Sequence, residues 1–264
     1  MMASETPPWT EHPDLVKFYA HHRNRPEDLY PSERRFLPWL AAQAVSVLDI
    51  GCAAGGFRNI WRRYRSEIRY LGVDRSASLI EAASRLEPDG DFFRGDCAEG
   101  LPFPDRVATV VQALGWLHWE PRYPQVLREL WRLTDRYLFL DIRLAGTPDR
   151  TAVGRQHVAL SGPWDGQTTT PYLVVEWSSF SSLLDALEPA TVFGCGYWGS
   201  PADTVVGVEG PVCFAAFVLE KPSLTGRASV RSVCLDLPLA WPTALSQRVH
   251  VLPGAALSVL VPQG

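Results

Sequence analysis

VLDIGCAAGGF, residues 47–57, is an apolar run that ends in an acid and passes into a turn of small residues. The stretch from Val45 to Ile50 predicts a strand, and Gly56 to Tyr64 predicts the helix that follows. Small residues let a backbone approach a ligand closely, and a helix start offers amides with no partner inside the helix. The same rhythm recurs downstream. Strands are expected at Tyr70–Val73, Asp91–Arg94, Val107–Gln112 and Tyr137–Asp141, with helices at Ser76–Leu86 and Tyr123–Leu133. Ser76 reads as the cap of its helix. Strand and helix in alternation predict a parallel sheet covered on both faces.

The flanks have a different character. Apolar residues at helical spacing in 13–22 and 31–43 predict two helices ahead of the sheet, with Pro31 at a helix start and Asp14 placing negative charge at the first. Residues 1–10 are polar and Pro-rich. Residues 146–171 carry little periodic apolar pattern and read as a long loop or lid. A short helix is expected at Phe180–Leu187, then an antiparallel hairpin of Thr191–Trp198 and Val212–Leu219 joined through a turn at 199–210. Beyond Pro222, strand-like stretches at 230–235, 248–252 and 257–261 are broken by Pro238, Pro242 and Pro253. The expected fold is α/β: a Rossmann-like, doubly wound, mostly parallel seven-stranded sheet with an antiparallel last strand. It divides into a helical cap (1–44), a central domain (45–222) and a C-terminal β extension (223–264).

Composition narrows the function classes. The chain's 264 residues, 46% of them hydrophobic, suffice for a full core. A net charge of −4 argues against affinity built on neutralising phosphates, so nucleic acid is not the expected partner. No apolar run approaches the ~18 to 20 residues needed to span a bilayer. The start, MMASETPPWTEHPD, lacks a basic region followed by an apolar stretch, and a cytoplasmic location is expected. Cys52, Cys97, Cys195, Cys213 and Cys234 are scattered, without a CxxC pair, which suits neither a disulfide framework nor a zinc site; no metal is expected.

Chemistry concentrates where strands end. Asp49 closes the first strand, and Asp74 closes the second, where a carboxylate can accept hydrogen bonds from both hydroxyls of a ribose. Asp96 stands just past the third, within reach of an adenine amino group. A dinucleotide-dependent dehydrogenase keeps glycine at the second position of the turn, where this chain has Ala53.

VLDIGCAAGGF, YLGVDRS (70–76) and FFRGDCAEGLPF (92–103) together resemble the successive cofactor motifs of class I S-adenosylmethionine-dependent methyltransferases. The resemblance covers about residues 45–142. It implies S-adenosylmethionine as cofactor, with Asp49 and the turn of Gly51, Cys52, Ala53 and Gly55 against its amino-acid part. Asp74, with Arg75 beside it, would hold the ribose, and Asp96 with the backbone of Cys97 the adenine. The chain departs from the family in two places. Ala108 and Gln112 stand where many members have an acid or Asn on the fourth strand, and Leu133–Arg136 replaces a Pro-Gly-Gly turn. Gln112 is still expected to point toward the methyl-transfer site.

Methyl transfer to oxygen or nitrogen needs alignment and, for some nucleophiles, removal of a proton. His118, in Gly115–Glu120 after the fourth strand, is the candidate base. The polar and aromatic segment 18–30, with His21, His22 and Tyr30, is expected to fold over the cofactor or acceptor, an Arg or Tyr of it meeting the cofactor carboxylate. Arg143 is a candidate anion clamp. Trp164, Trp177 and especially Trp198 are candidate flat walls for a ring-bearing acceptor. The reading is a small-molecule O- or N-methyltransferase, acting on a sugar or secondary metabolite. Two alternatives stand beside it: a non-methylating S-adenosylmethionine enzyme on the same scaffold, and a silent partner subunit or homodimer assembled through the extension.

Overall fold

In a computed structural model, the structure describes residues 12, 14–145, 151–159, 163–223 and 231–252. Strand β1 (Ser46–Ile50) is an inner strand, hydrogen-bonded in parallel to β2 (Arg69–Asp74) on one side and β4 (Ala108–Ala113) on the other. β3 (Asp91–Arg94) continues beyond β2, and β5 (Thr134–Ala145) beyond β4. Helices α4 (Gly56–Tyr64), α5 (Ala77–Leu86) and α6 (Tyr123–Leu133) make the crossovers.

Period-two alternation sends neighbouring side chains to opposite faces. Leu48, Val111, Leu140 and Ile142 pack with Val126 and Leu130 of α6 and with Phe180 of α7 (Trp177–Ala186). Val47, Val110 and Phe139 pack on the other face against Ile60 and Trp61 of α4 and Leu37 and Leu40 of α3 (Leu37–Gln43). These two apolar layers make the sheet doubly wound.

The expected hairpin is β8 (Thr191–Gly199) and β10 (Val212–Glu220), with the two-residue β9 (Val205–Val206) in its connection. β10 runs antiparallel to both β5 and β8. Past it, β11 (Ser232–Asp236) pairs parallel to β8, and β12 (Val249–His250) pairs with β11. The sheet therefore has 12 strands where seven plus an extension were expected.

Part of the difference lies in 146–171. Its described residues include β6 (Ala152–His157) and the start of β7 (Thr169–Glu176), where a loop was expected. β6 pairs antiparallel to β7 and also holds β9, while β7 joins the end of β5 at Leu144↔Val175. β6 buries only Gly154 and Pro171 interrupts the donors of β7, so neither strand announces itself by alternation. Residues 146–150, 160–162 and the 257–261 stretch lie outside the described residues.

The amino-terminal helices are shorter than expected. α1 (Leu15–Tyr19) sets Leu15 against Leu79 and Ala82 of α5. The second splits into α2 (Pro31–Arg34) and α3, because Pro38 has no N–H to continue the first helix and instead fits the first turn of the next.

Candidate functional site

The turn after β1 depends on backbone that few side chains tolerate. Gly51 has φ +78° and Gly55 φ +84°, and Ala53 adopts φ +48° between them. A Cβ on Gly51 would lie 2.4 Å from Nε1 of Trp116, whose indole N–H donates to the Ile50 carbonyl at 2.6 Å. A Cβ on Gly56 would lie 2.7 Å from the carbonyl oxygen of Arg23. The small residues thus admit Trp116 from one side and the segment 18–30 from the other.

These elements enclose a cavity of about 350 Å³ at the carboxyl edge of the sheet. Eleven of the residues expected from sequence line it: Gly51, Cys52, Ala53, Asp74, Arg75, Asp96, Cys97, His22, Tyr30, His118 and Arg143. Asp74 is almost fully buried; Ala53 N–H donates to one carboxylate oxygen at 3.0 Å and Ser76 N–H to the other at 2.9 Å. Burial raises its pKa above the usual carboxylate range, against the pull of those amides. Each oxygen retains acceptor capacity for a further donor. Asp96 accepts from Ala98 N–H at 2.9 Å and lies 3.6 Å from Arg122 and 3.9 Å from Arg75.

Five expected residues stand elsewhere. Asp49 is buried behind the wall, accepting from the Tyr70 hydroxyl and from Gln112 Nε2 at 3.0 Å. Burial raises its pKa to about 6, with those two donors opposing. Gln112 also accepts from Trp61 Nε1 at 2.8 Å, so it braces β1, β4 and α4 and does not face the cavity. Gly55 packs against Phe92 and Ala83, His21 is exposed, and Trp198 is exposed on β8. Trp164 stacks on His157 at 3.7 Å and Trp177 lies in the core; neither lines the cavity.

The far side of the cavity lies at β5, β7 and β10. Arg143 is buried, donating to Asp141 at 2.7 Å, with its guanidinium 4.3 Å from the Phe214 ring centroid and 5.5 Å from that of Tyr30. Asp141 also accepts from Gly115 N–H at 2.5 Å. Arg23, at φ +54°, pairs with buried Glu33 and lies 4.7 Å from the Phe57 ring. His118 sits 5.2 Å from Tyr172, centroid to centroid, and its Nδ1 is buried without a partner. Burial first, then the charges of Arg143 and Arg23, push its pKa well below the usual histidine value.

Sequence reasoning did not single out Arg23, Trp116, Thr170, Tyr172 or Phe214, which also line the cavity. Arg23 was within the noted segment, but β7 was unread and Phe214 looks like an ordinary strand residue. Among the described residues no group of His, Cys, Asp and Glu could hold a metal, and no helix is long and apolar enough to cross a membrane.

A family described as a methyltransferase domain matches residues 48–136. The chain is 33% identical over 98 residues to the demethylmenaquinone methyltransferase of Thermotoga maritima, covering 37% of this chain and 42% of that protein. It is 26% identical over 118 residues to a trans-aconitate 2-methyltransferase of Variovorax paradoxus, covering 45% and 43%. The chain thus spans less than half the length of these relatives. The solved N-terminal domain of EvdMO1 with SAH bound shares the fold, at TM-score 0.53 and 15% identity over 73% of this chain and 82% of that one.

Proposed function

With residues 48–136 belonging to the class I S-adenosylmethionine-dependent methyltransferases, we propose that the whole chain methylates a small molecule held at the β5 and β10 end of the cavity. The observation that carries this reading is Asp74, a carboxylate fixed by two amides in the cavity wall with acceptor capacity left over. The cavity fits the cofactor chemically: an acid for the ribose hydroxyls, Asp96 at the next strand end for the adenine, and Arg23 for the carboxylate. When bound, S-adenosylmethionine supplies an electrophilic methyl on a sulfonium.

The residues of this chain bind and align. Asp74 accepts the ribose hydroxyls, and Trp116, tied to Ile50, closes the wall over Gly51. Burial beside two arginines disfavours an imidazolium at His118, so we assign it a hydrogen-bonding part in placing the acceptor, in place of the general base expected from sequence. Acceptors that are already nucleophilic, on oxygen or nitrogen, need no more than this alignment. The C-terminal strands would support a homodimer if a second copy paired along exposed β12, which light scattering tests.

The test of the function is calorimetry. S-adenosylhomocysteine should bind the wild type, and Asp74→Ala should weaken it about 10- to 100-fold, the loss expected for one or two hydrogen bonds to a charged group. Absence of heat with both S-adenosylmethionine and S-adenosylhomocysteine would overturn the proposal.

A further inference from the structure

The two ends of the cavity differ in charge. The acids in its wall, Asp74, Asp96 and Glu120, follow β2, β3 and β4, and Arg75 and Arg122 stand beside the latter two. At the β5 and β10 end the order reverses. Arg143 and Arg23 form the wall, while their counter-acids Asp141 and Glu33 stand outside it. Guanidinium groups, not carboxylates, are what a guest meets there.

The same end leaves polar atoms unpaired. Arg143 Nε, Thr170 Oγ1 and His118 Nδ1 are buried with no hydrogen-bond partner, and all three residues line the cavity. An arginine Nε–H can only donate, and a threonine hydroxyl can do so readily. What satisfies the Arg143 and Thr170 donors together is a group that accepts several hydrogen bonds; neutral His118 adds to them in its Nδ1–H tautomer. A carboxylate is such a group, and the guanidinium fork matches its geometry. The surrounding surfaces are flat: Tyr30 and Phe214 flank Arg143, Phe214 stacks on Tyr197 at 5.6 Å with 14° between planes, and Tyr172 faces His118. An amine guest would meet like charge, and a sugar would leave the aromatic walls and the charge of Arg143 unused.

We infer that the acceptor is a small planar carboxylic acid, its carboxylate held by Arg143 and Thr170 and its flat body lying against Tyr30 and Tyr172. This rests on the methyltransferase reading, and it concerns recognition, not which atom receives the methyl. The neutral state that burial imposes on His118 leaves the positive charge of this end with the two guanidiniums.

The experiment is calorimetry on the full chain saturated with S-adenosylhomocysteine, using cinnamate, cinnamamide and phenyl phosphate as probes. Cinnamate is expected to bind at least tenfold more tightly than cinnamamide, and more tightly than phenyl phosphate. Arg143→Gln should lose at least tenfold in cinnamate affinity while S-adenosylhomocysteine affinity changes less than threefold. Because that variant takes from Asp141 its ion-pair partner, Thr170→Val provides a second measurement, with a loss of threefold or more expected. Equal binding of acid and amide, preference for the phosphate, or no cinnamate binding in a protein that binds S-adenosylhomocysteine would overturn the inference alone. Failure of S-adenosylhomocysteine itself to bind would remove the underlying function instead.

Discussion

His118 and Gly51 show how single positions are set by what surrounds them. The depressed pKa of His118 ties stability to pH in one direction. As pH falls below about 6.5, the unfolded chain takes up the proton while the folded chain resists it, so stability drops toward acid. The contribution is complete above that value and is lost at up to about 1.4 kcal/mol per pH unit below it. Urea melts of wild type and His118→Gln between pH 5 and 8 should therefore diverge in favour of the variant on the acid side; parallel curves would contradict the buried neutral imidazole. At Gly51 the left-handed backbone and the nearby indole act together. Gly51→Ala should cost about 2–4 kcal/mol, the sum of an unfavourable φ and overpacking against Trp116, read as a lower urea midpoint at unchanged slope.

Among the elements, the contacts that hold the segment from Phe18 to Tyr30 include Gly56 under the Arg23 carbonyl and Glu33 on the Arg23 guanidinium. Glu33 is fully buried, and replacing it by Gln would leave Arg23 with no direct counter-charge in a dry setting. Breaking a buried pair from one side costs about 3–5 kcal/mol, so Glu33→Gln should unfold at markedly lower denaturant. Gly56→Ala pushes on backbone instead of a movable side-chain tip. We expect faster protease cleavage within residues 19–30 and about tenfold weaker S-adenosylhomocysteine binding, without a comparable fall in melting temperature. Cleavage at the wild-type rate would show that the segment yields without leaving its place.

The same elements show what the amino-acid order discloses. Gly56–Tyr64, Asp91–Arg94 and Tyr123–Leu133 have the same bounds in sequence and structure: Gly55 opens the first, Gly90 and Gly95 flank the second, and apolar periodicity marks the third. Ser76 caps α5 as read, accepting from Leu79 N–H at 3.4 Å. β6 and β7 were hidden because their order comes from pairing with each other, of β7 with β5 and of β6 with β9, and not from local pattern. The wall acids after β2 and β3 were legible for a local reason: strand ends in a parallel sheet converge on one edge. Gln112 was misplaced because its position on β4 was read correctly but the face it takes was not; Trp61 and Asp49 supply buried polar partners on the far side. The β5 and β10 end of the cavity was only partly visible, since Thr170, Tyr172 and Phe214 come from strands that tertiary pairing alone brings to β5.

For the whole molecule, the carboxyl-terminal strands are packed into the main body. Val233 and Leu245 are fully buried in the large core cluster, and Arg248 donates to Asp185 of α7 at 2.9 Å and to the Pro189 carbonyl at 2.7 Å. β11 also covers the edge of β8. Truncation after residue 222 should therefore uncover apolar surface together with an unpaired strand edge, lowering the melting temperature by at least 5 °C and promoting aggregation in light scattering. A truncated chain that melts and scatters like the parent would show that these strands add nothing to the stability of the rest.

Trp116 gives the protein an optical reporter of its own. Its ring forms part of the cavity wall, and its N–H is anchored to Ile50, so a guest beside Gly51 alters the surroundings of a fixed chromophore. Emission excited near 295 nm should shift or quench as a nucleoside sulfide enters, and Trp116→Phe should abolish most of that response against the background of the other tryptophans. Occupancy of the wild-type chain can then be followed in real time without an added dye.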